Sequence, residues 1–340
     1  MNTTHNIEPY DPYELMITPP NNKGDMIVRE LEKPEPNQSI VRDLITLGAN
    51  LDWQGNDGMS ALHWCAIHNS PEIPKMLLDA GADVNIQDNI GWTALHMCAS
   101  YNHSRILRML IDAGADVNIQ EGDDWTALHW CAVMNHPEIA RMLIDAGADV
   151  NMQDNDGSTA LHWCAVKNRP EIPKMLLDAG ADVNIQDNDG WTALHWCAMY
   201  NRPEIARMLL DAGADMSILN NIGRTALHMC ASYNHPEIAR MLLDAGADVN
   251  IQEGDDWTAL HWCAVMNHPE IARMLIDAGA DLNIQDNDGR TALHWCAVMN
   301  HPEIARMLID AGADKTIRDN IGRLPYELAH SQELQELLKV

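Results

Sequence analysis

The chain has 340 residues, 50 acids against 22 Lys and Arg, 8 cysteines, 11 tryptophans and no phenylalanine, giving a formal charge of -28. That charge argues against nucleic acid and anionic membrane as partners, because clustered bases bind both. It favours a neutral or basic partner. With 46% hydrophobic and 21% charged residues, the composition is that of a folded chain and not of an acidic tail.

In chain order, residues 1–24 hold Pro9, Pro12, Pro19 and Pro20 without a basic n-region or long apolar run. They read as a flexible or extended leader, not a secretory signal. No stretch approaches the roughly 18 apolar residues of a membrane span. Residues 25–54 predict a polar starting cap, with Ser39 to Asn50 as a helix and its loop. From 55 to 318 one unit recurs eight times without insertion. Its A-L-H histidine stands at His63, His96, His129, His162, His195, His228, His261 and His294, 33 residues apart, and a cysteine follows two places behind each, from Cys65 to Cys296.

Residues 286–318 show the anatomy of one unit. Asn287 to Gly289 is a turn signal. Thr291 to Met299 predicts a short helix, with Asn300 as its left-handed cap. Pro302 suits the first turn of a second helix, where its missing N–H costs nothing. That helix carries Ile304, Met307 and Leu308 at i, i+3, i+4 spacing and stops at Gly312. Neither helix buries its apolar side alone, so neighbouring units must stack. Residues 319–340 repeat the turn, put Glu327 where the histidine stood, and close on a charged, shortened helix from Gln332 to Leu338.

The 33-residue period, T-A-L-H at Thr93–His96, Thr126–His129 and Thr291–His294, and G-A-D-V-N at Gly81–Asn85 resemble the ankyrin repeat family. The resemblance covers about residues 25–340. It implies an all-α solenoid of paired antiparallel helices with β-turn tips and caps at both ends, and protein binding without catalysis. Ala94 and its equivalents depart from the family's usual proline, which helix propensity tolerates. A longer period lies above the short one: Glu121–Asp149 is identical to Glu253–Asp281, 132 residues on. Asn89–Leu95 and Asn221–Leu227 differ only at Trp92 and Arg224, so a four-repeat block has been duplicated.

The cysteines predict free, buried thiols, since repeats stack about 10 Å apart and a disulfide needs Cα atoms within about 7 Å. Free thiols imply a reducing compartment, the cytoplasm; delivery into a host cell is compatible with the same chemistry. His63 and Cys65, at i, i+2, point about 200° apart around a helix and cannot chelate one ion, so no metal is expected. The resemblance implies that the repeat histidine hydrogen-bonds the turn of its own or the neighbouring repeat. No nucleophile elbow or phosphate-binding loop occurs, so neither enzyme nor cofactor is expected. In Glu121–Asp124 and Glu253–Asp256 the turn glycine has moved forward and acids fill the tip. Three acids from one turn are too few for calcium, and a partner contact is the expectation.

The tryptophans divide into two sets. Trp64, Trp130, Trp163, Trp196, Trp262 and Trp295 follow the repeat histidine and read as packing. Trp92, Trp125, Trp191 and Trp257 lie in the preceding turn. The resemblance implies that this turn and the end of the first helix form the ligand-contacting, concave surface. The helix ends add Tyr101, Tyr200, Tyr233, Met134, Met266 and Met299, and the acidic tips add Asp123, Asp124, Asp255 and Asp256. A solvated surface should not carry so many large apolar groups, which are instead enriched or adaptable at interfaces. Mutual packing between neighbouring turns is the competing reading. Glu303, Arg306 and Asp310 read as a salt-bridged outer face on the second helix.

The expected function is therefore binding, as a monomer when free, of a protein or peptide with exposed Lys or Arg and apolar anchors. Alternatives are a methyl-lysine reader using aromatic cages, a purely structural spacer, or a substrate. The last is implied by the resemblance: related proteins are hydroxylated at the loop asparagine, here Asn85, Asn118, Asn151, Asn184 and Asn250. The duplication predicts two like sites at the two acidic turns.

Overall fold

The computed structural model describes residues 20–340, and every regular element among them is a helix. The chain forms two compact units, Met1–Asn155 and Asp156–Val340. In the first, helices Pro20–Leu31 and Gln38–Thr46 precede three repeats whose helix pairs are Ala61–His68 with Glu72–Asp79, Ala94–Tyr101 with Ser104–Asp112, and Ala127–Met134 with Pro137–Asp145. The second unit holds five pairs, from Ala160–Lys167 with Glu171–Asp178 to Ala292–Met299 with Pro302–Asp310, and closes on Pro325–Leu328 and Gln332–Leu338.

Within each unit, first helices pack on first helices and second helices on second helices. The sequence dictates this layering. The first helix is apolar nearly all round: Ala94, Leu95, His96, Met97, Cys98 and Ala99 are all buried. Its small Ala and Cys side chains let adjacent helices approach closely. The second helix is one-sided, burying Ile106, Leu107 and Leu110 completely while Arg105 and Arg108 face water. Each such Leu or Ile contributes about 1.5–3 kcal/mol relative to exposure.

Local signals set the helix limits. Thr93 caps the helix starting at Ala94, and Asn102 ends it in the left-handed region at φ 63°. The same asparagine position repeats this conformation in all eight repeats. In the closing segment Glu327 replaces the histidine and keeps its capping role: its Oε2 accepts the Leu324 N–H at 2.7 Å.

Two expectations are corrected. The leader does not extend to residue 24, because a helix already begins at Pro20. Ile27, Val28 and Leu31 bury its apolar side, and the buried Lys23 donates from Nζ to the Leu47 carbonyl at 3.0 Å. The rest of the leader, residues 1–19, lies outside the described residues. The acidic tips also turn differently from their sequence. Gly91 makes its turn at φ 88°, but in the altered turns Asp124 and Asp256 take the left-handed conformation, at 59° and 58°. Gly122 serves another purpose: its N–H donates to the Ile90 carbonyl at 2.8 Å, and a Cβ there would lie 3.0 Å from that oxygen.

Candidate protein-binding face

The turns are held by the repeat histidines. The backbone N–H of Thr93 donates to His96 Nδ1 at 3.1 Å, so that nitrogen carries no proton. The proton sits on Nε2, which donates to the Trp125 carbonyl of the next repeat at 3.2 Å. His63 reaches Trp92 in the same way, His162 reaches Trp191, His195 reaches Arg224 and His228 reaches Trp257. Burial pushes His96 and His228 down to about 4, and lowers His63, His195, His261 and His294 from the ordinary imidazole value. The neutral tautomer required by the hydrogen bonds is thus the one that burial favours. Each histidine fixes the backbone of the residue whose side chain forms the turn's outward face.

A second histidine set, outside the sequence expectation, braces the other side. His103 donates from Nδ1 to the Ala66 carbonyl at 2.6 Å, and His136, His235, His268 and His301 make the equivalent bond to the preceding repeat. Gln87 adds a third bridge, donating to Gly91 O at 2.8 Å and Gln120 O at 3.0 Å.

On this frame tryptophans of the two sets meet within each unit. Trp125 lies 4.8 Å from Trp130 of its own repeat, and Trp130 lies 4.7 Å from Trp92 of the repeat before. In the second unit Trp257 contacts Trp262 at 4.8 Å and Trp295 at 5.0 Å, and Trp191 stacks on Trp196 at 4.6 Å. All of these rings are half-buried, so the division into packing and contact residues does not follow their positions in the repeat. Where an aspartate precedes, the indole is pinned: Trp196 donates to Asp187 Oδ2 at 3.0 Å and Trp295 to Asp286 Oδ2 at 2.7 Å.

The helix ends flank these rings. Tyr101 is 54% exposed, and Tyr200, Tyr233, Met134, Met266 and Met299 are exposed beside it in chain order. The tyrosines rest on the residue that starts the second helix: Tyr101 on His103, Tyr233 on His235, and Tyr200 under Arg202. Asp123, Asp124, Asp255 and Asp256 are exposed at the tips. The turns also present Ile90 and Ile222, at 62% and 56% exposure, which sequence reasoning passed over because single aliphatics in turns carry no periodic signal.

The duplicated turns are not alike. In the second copy, Arg224 places its guanidinium 4.2 Å from the Trp262 ring and bonds Glu253 Oε2 from Nε at 2.5 Å. In the first copy the residue at that position is Trp92, and Glu121 has no Lys or Arg partner among the described residues. Both carboxylates are buried, and burial raises both from the ordinary glutamate value, against the pull of Arg224 in the case of Glu253. Beside Glu121, a cleft of about 690 Å³ opens between the turns, lined in part by Ile90, Trp92, Glu121, Asp123 and Trp130.

This arrangement of turn, histidine-capped helix and second helix recurs in the family comparison. A profile of ankyrin repeats in three copies matches residues 33–121, 114–187, 179–253 and 249–319. The chain belongs to the ankyrin repeat family. No curated protein matches it. Among solved structures it is similar to the ankyrin repeat domain of Bcl-3, described as a unique member of the IkappaB protein family. That likeness has 26% identity and a TM-score of 0.61 over 64% of this chain and 100% of the other. Ankyrin repeats are non-enzymatic protein-interaction modules, and that is the class of function the chain shares.

The other residues singled out in the sequence have the following places in the ankyrin frame. Asn85 Oδ1 accepts the Asp116 N–H at 2.9 Å, and Asn118, Asn184 and Asn250 do the same for Asp149, Asp215 and Asp281. Asn151 sits at the equivalent loop position, half-buried. The eight cysteines are free and buried. Among the described residues no helix is long and apolar enough to cross a membrane, and no group of three His, Cys, Asp or Glu side chains is placed to hold a metal ion. The expected salt bridges of Arg306 with Glu303 and Asp310 do not form: its Nη2 reaches Glu333 of the closing helix instead, at 3.3 Å.

Proposed function

We propose that this ankyrin protein binds a protein or peptide partner through the face built from its turns and first-helix ends, selecting exposed Lys and Arg flanked by apolar anchors. The observation that carries the reading is the chain's own use of that face. Arg224 covers Trp262, Arg290 lies 4.8 Å from the Trp295 ring, and Arg202 covers Tyr200. In each unit indoles edged by acids, Asp123 and Asp124 in the first and Asp255 and Asp256 in the second, attract cations by ring quadrupole and by charge. Exposed Tyr and Met supply the apolar contact. Free, buried thiols fit work in a reducing compartment, the cytoplasm.

Selection of binding sequences from a random displayed peptide library tests this. Enriched peptides should carry Arg or Lys with aliphatic or aromatic neighbours, and should lose binding to a protein carrying W125A and W257A. Peptide binding unchanged by that double substitution would overturn this reading of the face, and a library that yields no binding peptide would favour the structural spacer.

A methyl-lysine reader needs rings spaced around the cation. Here Trp92 and Trp125 each close on Trp130, at 4.7 and 4.8 Å, which leaves no space between those rings for a cation and favours contact on their outer faces over a cage. Selected peptides should therefore bind equally well with lysine and trimethyl-lysine. Intact mass after exposure to an asparaginyl hydroxylase tests the substrate reading at Asn85, Asn118, Asn151, Asn184 and Asn250, through steps of one oxygen.

A further inference from the structure

We propose that the cleft between the turns at residues 88–92 and 121–125 receives an arginine side chain of the partner, with Glu121 as its carboxylate and Trp92 as its stacking platform. This inference rests on the protein-binding reading above and names one contact within it. It comes from comparing the duplicated block with itself. The second copy keeps the same glutamate, the same aspartates and the tryptophans equivalent to Trp125 and Trp130, and has Arg224 in place of Trp92. There the Arg224 guanidinium lies on Trp262 and bonds Glu253. The molecule thereby displays the group that this set of side chains holds.

In the first copy Trp92 stands where Arg224 stands in the second and lies 4.7 Å from Trp130, so the glutamate of that turn has an indole beside it in place of a cation. Glu121 is buried to 7% exposure, as Glu253 is to 6%, yet no Lys or Arg among the described residues pairs with it. Its carboxylate accepts backbone N–H groups of its own turn, that of Asp123 at 3.4 Å among them. A buried carboxylate without a cation is costly, and the second copy meets that cost with Arg224.

The chemistry favours arginine over lysine. A guanidinium is planar, so it stacks on the Trp92 indole while presenting several N–H donors edge-on to Glu121. An ammonium is a compact, strongly hydrated charge with no planar face to lay on the indole. Asp123 at the rim adds attraction, and Ile90 covers the aliphatic stem.

The test uses the full chain and Nα-acetyl-arginine amide as probe, read by the indole N–H signals of the tryptophans, each assigned by a single Trp→Phe substitution. The expected result is a saturable shift of Trp92 and Trp130 with no shift of Trp262. The neutral isostere Nα-acetyl-citrulline amide should bind about tenfold more weakly, as loss of a charge-assisted hydrogen bond implies. E121Q should remove the response. W92R should also remove it, by giving the first copy the internal occupant of the second. R224A should create a new response at Trp262. Equal binding of the citrulline probe, or Trp262 responding in the unsubstituted protein as Trp130 does, overturns the proposal.

The two readings fail separately. Selected peptides that bind through Trp125 and Trp257 while the arginine probe leaves Trp130 unshifted would remove the slot and keep the face. Selected peptides indifferent to W125A and W257A, with a saturable arginine response at Trp130, would remove the wider face and keep the slot.

Discussion

The Nε2–H of His96 donates to the carbonyl of Trp125 at 3.2 Å while its Nδ1 accepts the N–H of Thr93 at 3.1 Å. One ring therefore closes the start of its own helix and fastens the turn of the next repeat. Protonation would place a hydrogen on Nδ1, directly facing that N–H, and undo the helix cap.

Stability should accordingly fall in mild acid. Burial lowers His96 and His228 to about 4 from 6.5, and His63, His195, His261 and His294 are lowered as well. The unfolded chain then takes up protons first, so this stability is whole above pH 6.5 and is lost as the pH falls toward 4. For His96 and His228 the full loss is about 3 kcal/mol each. Glu121 and Glu253, whose carboxyls are raised, act in the opposite direction and offset a smaller part. Urea unfolding at pH 7.5 and at pH 5 reads the difference; an unchanged midpoint would refute the histidine account.

Replacing the turn acids by glycine should stabilise the protein. Asp124 and Asp256 hold left-handed backbone at 59° and 58°. The substitutions D124G and D256G should each gain about 0.5–1 kcal/mol, since glycine adopts that region without Cβ crowding. Thermal melting of each single variant checks this, and a lowered Tm would count against it.

Removing Arg224 should cost more than a surface ion pair does. It leaves Glu253, 6% exposed, without its cation, for a loss of about 1–3 kcal/mol. R224A combined with E253Q should recover part of that loss. A double-mutant cycle in urea measures the coupling, and simple additivity of the two substitutions would show that the pair does not interact.

The thiols should be silent until the chain opens. All eight are buried, and burial pushes Cys65, Cys98, Cys164, Cys197, Cys230, Cys263 and Cys296 up from the usual thiol value. An aromatic disulfide reagent should titrate no thiol in the native protein and all eight in urea. A native thiol reacting at the rate of free cysteine would contradict the buried placement.

The repeat anatomy was legible because its signals are local. A threonine cap, a left-handed asparagine and a proline in the first turn each act within a few residues, so Thr291, Asn300 and Pro302 mark their helices directly. Contacts between repeats were less legible. The residue at position 92 meets its indole neighbour at position 130, and no pattern within one repeat separates that contact from the one between Trp125 and Trp130. Two tryptophan sets that look distinct along the chain therefore merge in space. The helix at Pro20 escaped notice for a similar reason: Ile27, Val28 and Leu31 gain their meaning only from burial in the starting cap. Arg224 stands in the sequence only as a difference between the duplicated segments, and geometry alone shows it seated on Trp262 and Glu253.

The turn position that reads Trp92, Trp125, Trp191 and Trp257 in four repeats reads Arg224, Arg290 and Arg323 in three others. Tryptophan and arginine codons differ by a single base. An array of this design can therefore close a receptor with its own side chain, or reopen it, by one nucleotide change per repeat and without disturbing the backbone that holds it. Duplication supplies the copies, and point mutation then decides which of them remain open to a partner.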